Sequence, residues 1–279
     1  YRKSADQNYA PAQNNLADYY YEGNAVKQDY MKAVDLYRKS AEQGIAEAQF
    51  SLGNCYFEGK GVDQDYSYAM EWFFKADAQN NADAQNGLGL CYYNGYGVEQ
   101  DYEKAVEYFT KAAEQGHVMS QTYLGICYYN GYGVEQDYAK AAEWNAKAAE
   151  QGDSEALKEL GLSYYLGEGV EQSYDKAIEL WLLASEKDNA GAQNYLGNCY
   201  YEGKGVEQDY AVAVEWYTKA ATLGHADAQN TLGWCYYNGL GTERNDSKAF
   251  EWFKNSSNQN HAQAQYNQGN CYYHGRGGS

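Results

Sequence analysis

The chain repeats itself every 36 residues without one insertion, and that strict period restricts the fold more than any other feature of the sequence. A period of this length builds an array of one supersecondary unit, because a lone unit cannot bury its own apolar face and needs neighbours to do so. Three blocks carry the register. The first, Ala46-Glu47-Ala48-Gln49 with Leu52-Gly53, returns as Ala82-Asp83-Ala84-Gln85 with Leu88-Gly89. It continues as Gln121 with Leu124-Gly125, Leu160-Gly161, Gln193 with Leu196-Gly197, Gln229 with Leu232-Gly233, and Gln265 with Gly269. The second, Gly59-Lys60-Gly61-Val62-Asp63-Gln64-Asp65-Tyr66, recurs from Gly95 to Tyr102 and from Gly131 to Tyr138, and the fifth unit has Ser173 in place of Asp. The third, Ala105 to Gly116, is echoed at Ala141 to Gly152 and Ala213 to Gly224.

The first and third blocks place small or apolar residues at helical spacing (Ala48, Leu52, Cys55, Tyr56; Ala105, Tyr108, Phe109, Ala112), so each unit reads as helix A, loop, helix B. Asp29, Asp65, Asp101, Asp137 and Asp209 precede the B helices, where a carboxylate accepts exposed amide hydrogens. Lys39, Lys75, Lys111, Lys147 and Lys219 fall in the last turn, and Gly44, Gly116, Gly152 and Gly224 suit a left-handed terminus. A glycine in mid-helix A, from Gly53 through Gly269, costs about 1 kcal/mol each relative to Ala, so seven in one column imply close helix contact there. The pattern predicts an all-α fold, a right-handed α/α superhelical solenoid of antiparallel helix pairs with 36-residue repeats. One solenoid is expected over 1–279: the end of a preceding helix B at 1–9, full repeats at 10–45, 46–81, 82–117, 118–153, 154–189, 190–225 and 226–261, then a final helix A and tail at 262–279. Neither end looks like a polar capping repeat, so the chain reads as a segment of a longer array, with Gly277, Gly278 and Ser279 as its tail.

Composition narrows the function. The formal charge of −18, from 39 acidic and 21 basic residues, repels a phosphate backbone, so nucleic acid is not an expected partner. No run approaches the ~20 apolar residues needed to span a bilayer, so no membrane insertion is expected. With 44% hydrophobic and 16% aromatic residues, the apolar content suffices for a core once it recurs in register.

Reactive groups are columnar. Cys55, Cys91, Cys127, Cys199, Cys235 and Cys271 occupy one column, with Ser163 standing in for cysteine in the unit 154–189. Equivalent helices lie about 10 Å apart, whereas a disulfide needs Cα atoms within about 7 Å, so buried free thiols are expected. No cysteine pair has metal or redox spacing. His117, His225 and His261 share an inter-repeat turn, and His274 lies near the end. The Gly-x-Gly-Val segments follow a helix and precede no Lys-Ser or Lys-Thr, so they read as connectors and not phosphate loops. A catalytic set requires a unique convergence of residues, which repetition does not supply; no catalytic residue, metal or cofactor is expected.

These blocks resemble the Sel1-like repeat family, a relative of tetratricopeptide repeats, whose units run A-x-A-Q-x-x-L-G-x-x-Y-x-x-G-x-G-V and then D-Y-x-K-A-x-x-W-x-x-K-A-A-x-x-G. The likeness covers essentially the whole chain. It implies a superhelix whose A helices line a concave face and a scaffold or adaptor role. Some members cross-link their two helices by disulfides, from which this chain departs.

On that implied face one column reads Asn54, Leu90, Ile126, Leu162, Asn198, Trp234, Asn270, so three consecutive units offer aliphatic side chains where their neighbours have amides. Beside it run Phe57, Tyr93, Tyr129, Tyr165, Tyr201, Tyr237, Tyr273 and then Glu58, Asn94, Asn130, Leu166, Glu202, Asn238, His274. Tyrosine gives broad contact at low entropic cost, and Asn both donates and accepts, while the Tyr column also suits simple packing between units. The expected site is a peptide groove of Leu90, Tyr93, Asn94, Ile126, Tyr129, Asn130, Leu162, Tyr165 and Tyr201. Its expected partner is a protein or peptide with apolar anchors and basic residues. The alternative is a regulatory or spacer array attached to a catalytic domain outside this segment, and the open ends also suit end-to-end self-association. Columnar thiols favour the cytoplasm; a secreted or periplasmic location stays open because the chain begins inside a repeat.

Overall fold

The start of helix B is set by a short-range signal. Asp29, Asp65, Asp101 and Asp209 each accept the backbone N–H three residues on, at 2.9–3.1 Å, and Ser173 and Asn245 do the same in their repeats. The structure, a computed structural model, describes residues 1–276; the tail 277–279 lies outside the described residues. In chain order it contains α1 (Arg2–Ala5), α2 (Ala10–Glu22), α3 (Tyr30–Glu42), α4 (Ala46–Glu58), α5 (Tyr66–Asp77), α6 (Ala82–Asn94), α7 (Tyr102–Glu114) and α8 (Val118–Asn130). There follow α9 (Tyr138–Glu150), α10 (Ser154–Leu166), α11 (Tyr174–Ser185), α12 (Ala190–Glu202), α13 (Tyr210–Thr222), α14 (Ala226–Asn238), α15 (Asp246–Ser257) and α16 (Ala262–Tyr273). Among the described residues there is no strand, and no helix is long and apolar enough to cross a membrane.

From α2 onward the even helices are helix A and the odd ones helix B. Helix A packs on helix B of its own repeat, and helix B on helix A of the next, within each of two compact units, Tyr1–Trp144 and Asn145–Ser279. Within the first, Phe73, Leu88, Cys91, Phe109 and Leu124 form a fully buried cluster; within the second, Trp181, Leu196 and Cys199 do, followed by Tyr217, Leu232 and Cys235.

The mid-helix glycine meets a ring. A Cβ on Gly89 would stand 2.5 Å from Phe109, one on Gly53 2.8 Å from Phe73, and one on Gly197 2.6 Å from Tyr217. Each ring lies 20 residues downstream on helix B of the same repeat and is itself buried. In the loop, Gly61 (φ 75°) lies against the start of the preceding helix B, where a Cβ would meet the Tyr30 backbone at 2.5 Å.

The glutamine of the first block ties repeats together. Buried Gln49 donates from Nε2 to the Ala41 carbonyl of the preceding repeat at 3.2 Å, and its Oε1 accepts from Gln79 Nε2 at 2.8 Å. Gln229 repeats this with Ala221 and Gln259. The inter-repeat histidines cap helix A: Nδ1 of His117, His225 and His261 accepts the amides of Ser120, Ala228 and Ala264 at 3.1–3.3 Å. Asn80, Asp188 and Asn260 take the place of the terminal glycine in their repeats, also at positive φ, which short polar side chains tolerate.

Two outcomes follow. Gly89→Ala gains about 1 kcal/mol of helix propensity but overpacks a buried ring at a cost of about 1–3 kcal/mol, so its thermal midpoint falls. Gly269→Ala, with nothing within 4 Å of the new Cβ, raises it; midpoints of the same sign would contradict the contact. Burial lowers the His225 pKa, against the attraction of Asp227, so its neutral form contributes stability above the ordinary value of about 6.5, and that stability is lost as pH falls through the lower folded value. His225→Asn, the cap that Asn189 provides in the preceding repeat, therefore flattens the loss of urea stability between pH 7 and 5.

Candidate peptide-binding face

The last turn of helix A sets the geometry of the face. Positions 90, 93 and 94, and likewise 126, 129 and 130, are three and four residues apart and share one side of their helices. Leu90, Tyr93, Asn94, Ile126, Tyr129 and Asn130 belong to the unit Tyr1–Trp144; Leu162, Tyr165 and Tyr201 belong to Asn145–Ser279. Leu90 and Leu162 are half-buried against their core clusters, and Ile126 is half-buried.

The tyrosines are half-buried and built into ring clusters. Tyr93 stands among Tyr102, Phe109, Tyr123 and Tyr132 at centroid distances of 5.2, 6.2, 5.6 and 6.2 Å. Tyr129, Tyr165 and Tyr201 each meet the first residue of their own helix B edge-on, Tyr138, Tyr174 and Tyr210, at 5.1–5.2 Å. Burial pushes the Tyr93 phenol up to about 12 and raises those of Tyr165 and Tyr201. Tyr93 joins α6 to α8 through Tyr123, as does the bond from Ser120 Oγ to Asn86 Oδ1 at 3.0 Å.

Asn94 and Asn130 are exposed, and each spends one N–H on its own helix, donating to the carbonyls of Leu90 and Ile126 at 3.0 and 2.9 Å. Each carboxamide keeps one N–H and its oxygen to offer a ligand. In the repeats with Glu58 and Glu202 this column carries charge. Tyr21 Oη donates to Glu58 Oε2 at 2.9 Å, and Lys60 Nζ donates to Tyr21 Oη and pairs with Glu58 at 2.7 Å. Burial opposes ionisation of Glu58, but its bonds from Lys60 and Tyr21 outweigh it and hold the pKa down. Lys204 likewise pairs with Glu202 at 2.7 Å and sits 5.2 Å from the Tyr165 ring, so Tyr165 has a charged neighbourhood that Tyr93 lacks.

Two residues escaped the sequence reading. Tyr96 and Tyr132, between the loop glycines, are each 37% exposed and stack on Tyr66 and Tyr102 at 4.8 and 4.9 Å. The signal was present: the residue between those glycines is Lys60 and Lys204 in other repeats and becomes tyrosine in the two that carry Leu90 and Ile126.

The cysteines sit elsewhere. All six are free and buried, and burial alone pushes the Cys91 and Cys127 thiols up to about 12 and Cys235 to about 11. Among the described residues no group of three His, Cys, Asp or Glu is placed to hold a metal.

Tandem helix pairs joined by Gly–ring contacts and glutamine bridges define a repeat solenoid, a fold typically used for protein–protein interaction. The Sel1 repeat model matches residues 10–45, 46–81, 82–117, 118–153, 154–189, 190–225, 226–261 and 262–279, and the chain belongs to the Sel1 repeat family. Such scaffolds are typically non-catalytic. The chain is similar to a protective antigen of uropathogenic Escherichia coli strains with an SLR fold, at 38% identity and TM-score 0.81, covering 98% of this chain and 59% of that one. A Sel1 repeat protein from Oxalobacter formigenes is 37% identical with TM-score 0.76, over 95% of this chain and 77% of that one. The APC/C hetero-tetramer Cut9–Hcn1 shares the fold, at 16% identity and TM-score 0.57, over 92% of this chain and 51% of that one. No curated protein matches.

The Cys55, Cys91, Cys127, Cys199 and Cys235 thiols, held near 11–12, contain almost no thiolate at pH 8, so their alkylation in the folded chain runs at least 100-fold slower than in the urea-unfolded chain. Because these folded pKa values are raised, stability is intact below the unfolded value of about 8.5 and is lost as pH rises towards 11–12. Urea midpoints at pH 7.5 and 10 read this out; equal midpoints would refute it.

Proposed function

We propose that the chain is a scaffold that holds a peptide or protein segment along the last-turn face of its A helices, centred on repeats 82–117 and 118–153. One observation carries the reading: these repeats replace the Asn54, Glu58 and Lys60 of their neighbour with Leu90, Asn94 and Tyr96, and with Ile126, Asn130 and Tyr132, giving a neutral face of aliphatic and aromatic edges within a chain of net charge −18. Apolar side chains of the ligand lie against Leu90 and Ile126. Its backbone bonds to the free amide groups of Asn94 and Asn130, and ring edges of Tyr93, Tyr96, Tyr129 and Tyr132 flank it. Leu162, Tyr165 and Tyr201 occupy the same columns of their own repeats in the sequence. The acidic surface favours ligands with basic residues. The role is binding and not catalysis, since the face offers no nucleophile set against a base.

Peptides selected on the chain from a random display library test the reading. Leu90, Ile126 and Leu162 all changed to Asp weaken the selected ligands by about 100-fold, or ~2.7 kcal/mol, at unchanged helix content by circular dichroism. Tyr96→Ala with Tyr132→Ala weakens them by about tenfold. Undiminished affinity in both folded variants would place binding on another face.

A further inference from the structure

The outer side of helix B departs from its own repeat pattern at several positions, Lys187 and Asn255 among them, and two of the exchanges are to leucine. Where sister repeats carry Lys39, Lys75, Lys111, Lys147 and Lys219, α11 carries Leu183, and where they carry Gln43, Gln79, Gln115, Gln151 and Gln259, the end of α13 carries Leu223. Leu182, Leu183 and Leu223 are 42, 45 and 49% exposed. The second exchange has a consequence inside the fold. In the repeats with Gln79 and Gln259 that side chain donates to the buried glutamine of helix A; with leucine there, Oε1 of Gln193 has no hydrogen-bond partner although Gln193 is only 3% exposed.

Gln193 lies in the wall of a hollow of about 770 Å³ between α11 and α13, with Leu182, Glu186, Asp188, Trp216 and Leu223. A smaller hollow of about 360 Å³ meets it at Leu182 and is lined by Asp175, Ile178, Glu179, Leu183 and Val206. The two share Leu182 and together present apolar walls and four carboxylates, Asp175, Glu179, Glu186 and Asp188, none of which is paired with a cation among the described residues. The one ammonium on their lining, that of Lys219, is 4.0 Å from the Trp216 ring.

We propose that this groove docks a basic segment of a partner protein: a Lys or Arg side chain lies with its stem along Leu182, Trp216 and Leu223, its head donates to the carboxylates of Glu186 and Asp188, and an apolar neighbour fills the smaller hollow. A long cationic side chain is the group that satisfies both halves of the site, since its methylenes cover apolar surface while its head keeps polar contacts. An acidic segment meets four carboxylates and is repelled, and a wholly apolar one gains nothing from them, so a basic segment is selected. The site is separate from the helix A face and does not rest on that reading.

The test uses the whole chain and three short fluorescein-labelled amphipathic peptides that share their leucines and differ at the polar positions, which are Arg, Glu or Ala. In fluorescence anisotropy the Arg peptide binds and the Glu and Ala peptides are at least about tenfold weaker. Leu223→Gln with Leu182→Thr, the residues of sister repeats and so compatible with the fold, weakens the Arg peptide by about tenfold at unchanged helix content. The variant with Asp at 90, 126 and 162 binds it as wild type does. Absence of binding by the Arg peptide, equal binding of the Ala or Glu peptide, or undiminished binding by the groove variant overturns the proposal, as does loss of binding in the 90, 126, 162 variant. Sedimentation that shows a wild-type dimer abolished by the groove substitutions also overturns it, because the occupant is then a second copy of this chain.

Discussion

The contact between a glycine of helix A and an aromatic ring of helix B is the constraint on which the rest of each repeat hangs. Without a side chain at Gly89 the ring of Phe109 lies on bare helix backbone, and the same holds for Gly53 with Phe73 and Gly197 with Tyr217. One inserted residue would turn the glycine by about 100° and drive a side chain into the ring, which is why the period tolerates no insertion. The contact sets how deeply the helices approach, and so where Leu88 and Cys91 fall in the core. Two repeats solve the position differently. Ala17 replaces the glycine opposite Tyr37, whose hydroxyl reaches Asp18 at 2.7 Å, and buried Asn145 stands where other repeats have a ring, with Oδ1 unpartnered.

Glutamine bridges supply the second tie, this time between repeats. A buried carboxamide bonded to the preceding repeat through its N–H and to its own helix B through its oxygen makes neighbours mutually dependent, since losing either partner strands a buried polar atom. With glycine, ring and glutamine fixed, the last turn of helix A and the outer side of helix B are left free to vary. Both surfaces argued to bind lie there, and both are recognised as departures from the chain's own repeat.

Much of the site was legible because the repeat serves as its own alignment. Leu90, Ile126 and Leu162 stand out against Asn54 and Asn198, and the cysteine column reads as packing because it recurs with the core leucines. Tyr96 and Tyr132 were passed over because a residue between two loop glycines reads as connector whatever its type; only their stacking on Tyr66 and Tyr102 turns them towards the face. The histidines were placed in a turn, but their service as helix caps depends on where Nδ1 points.

The sequence by itself determined the helical unit, its length, its caps and the need for close helix contact at the glycine column, because these follow from local propensity and periodicity. Tertiary structure decided which ring fills each glycine cleft and that replacing one glutamine by Leu223 leaves Gln193 with an unmet oxygen. Those outcomes depend on atoms 20 to 30 residues apart meeting at hydrogen-bond or van der Waals distance, and no local pattern specifies such a meeting.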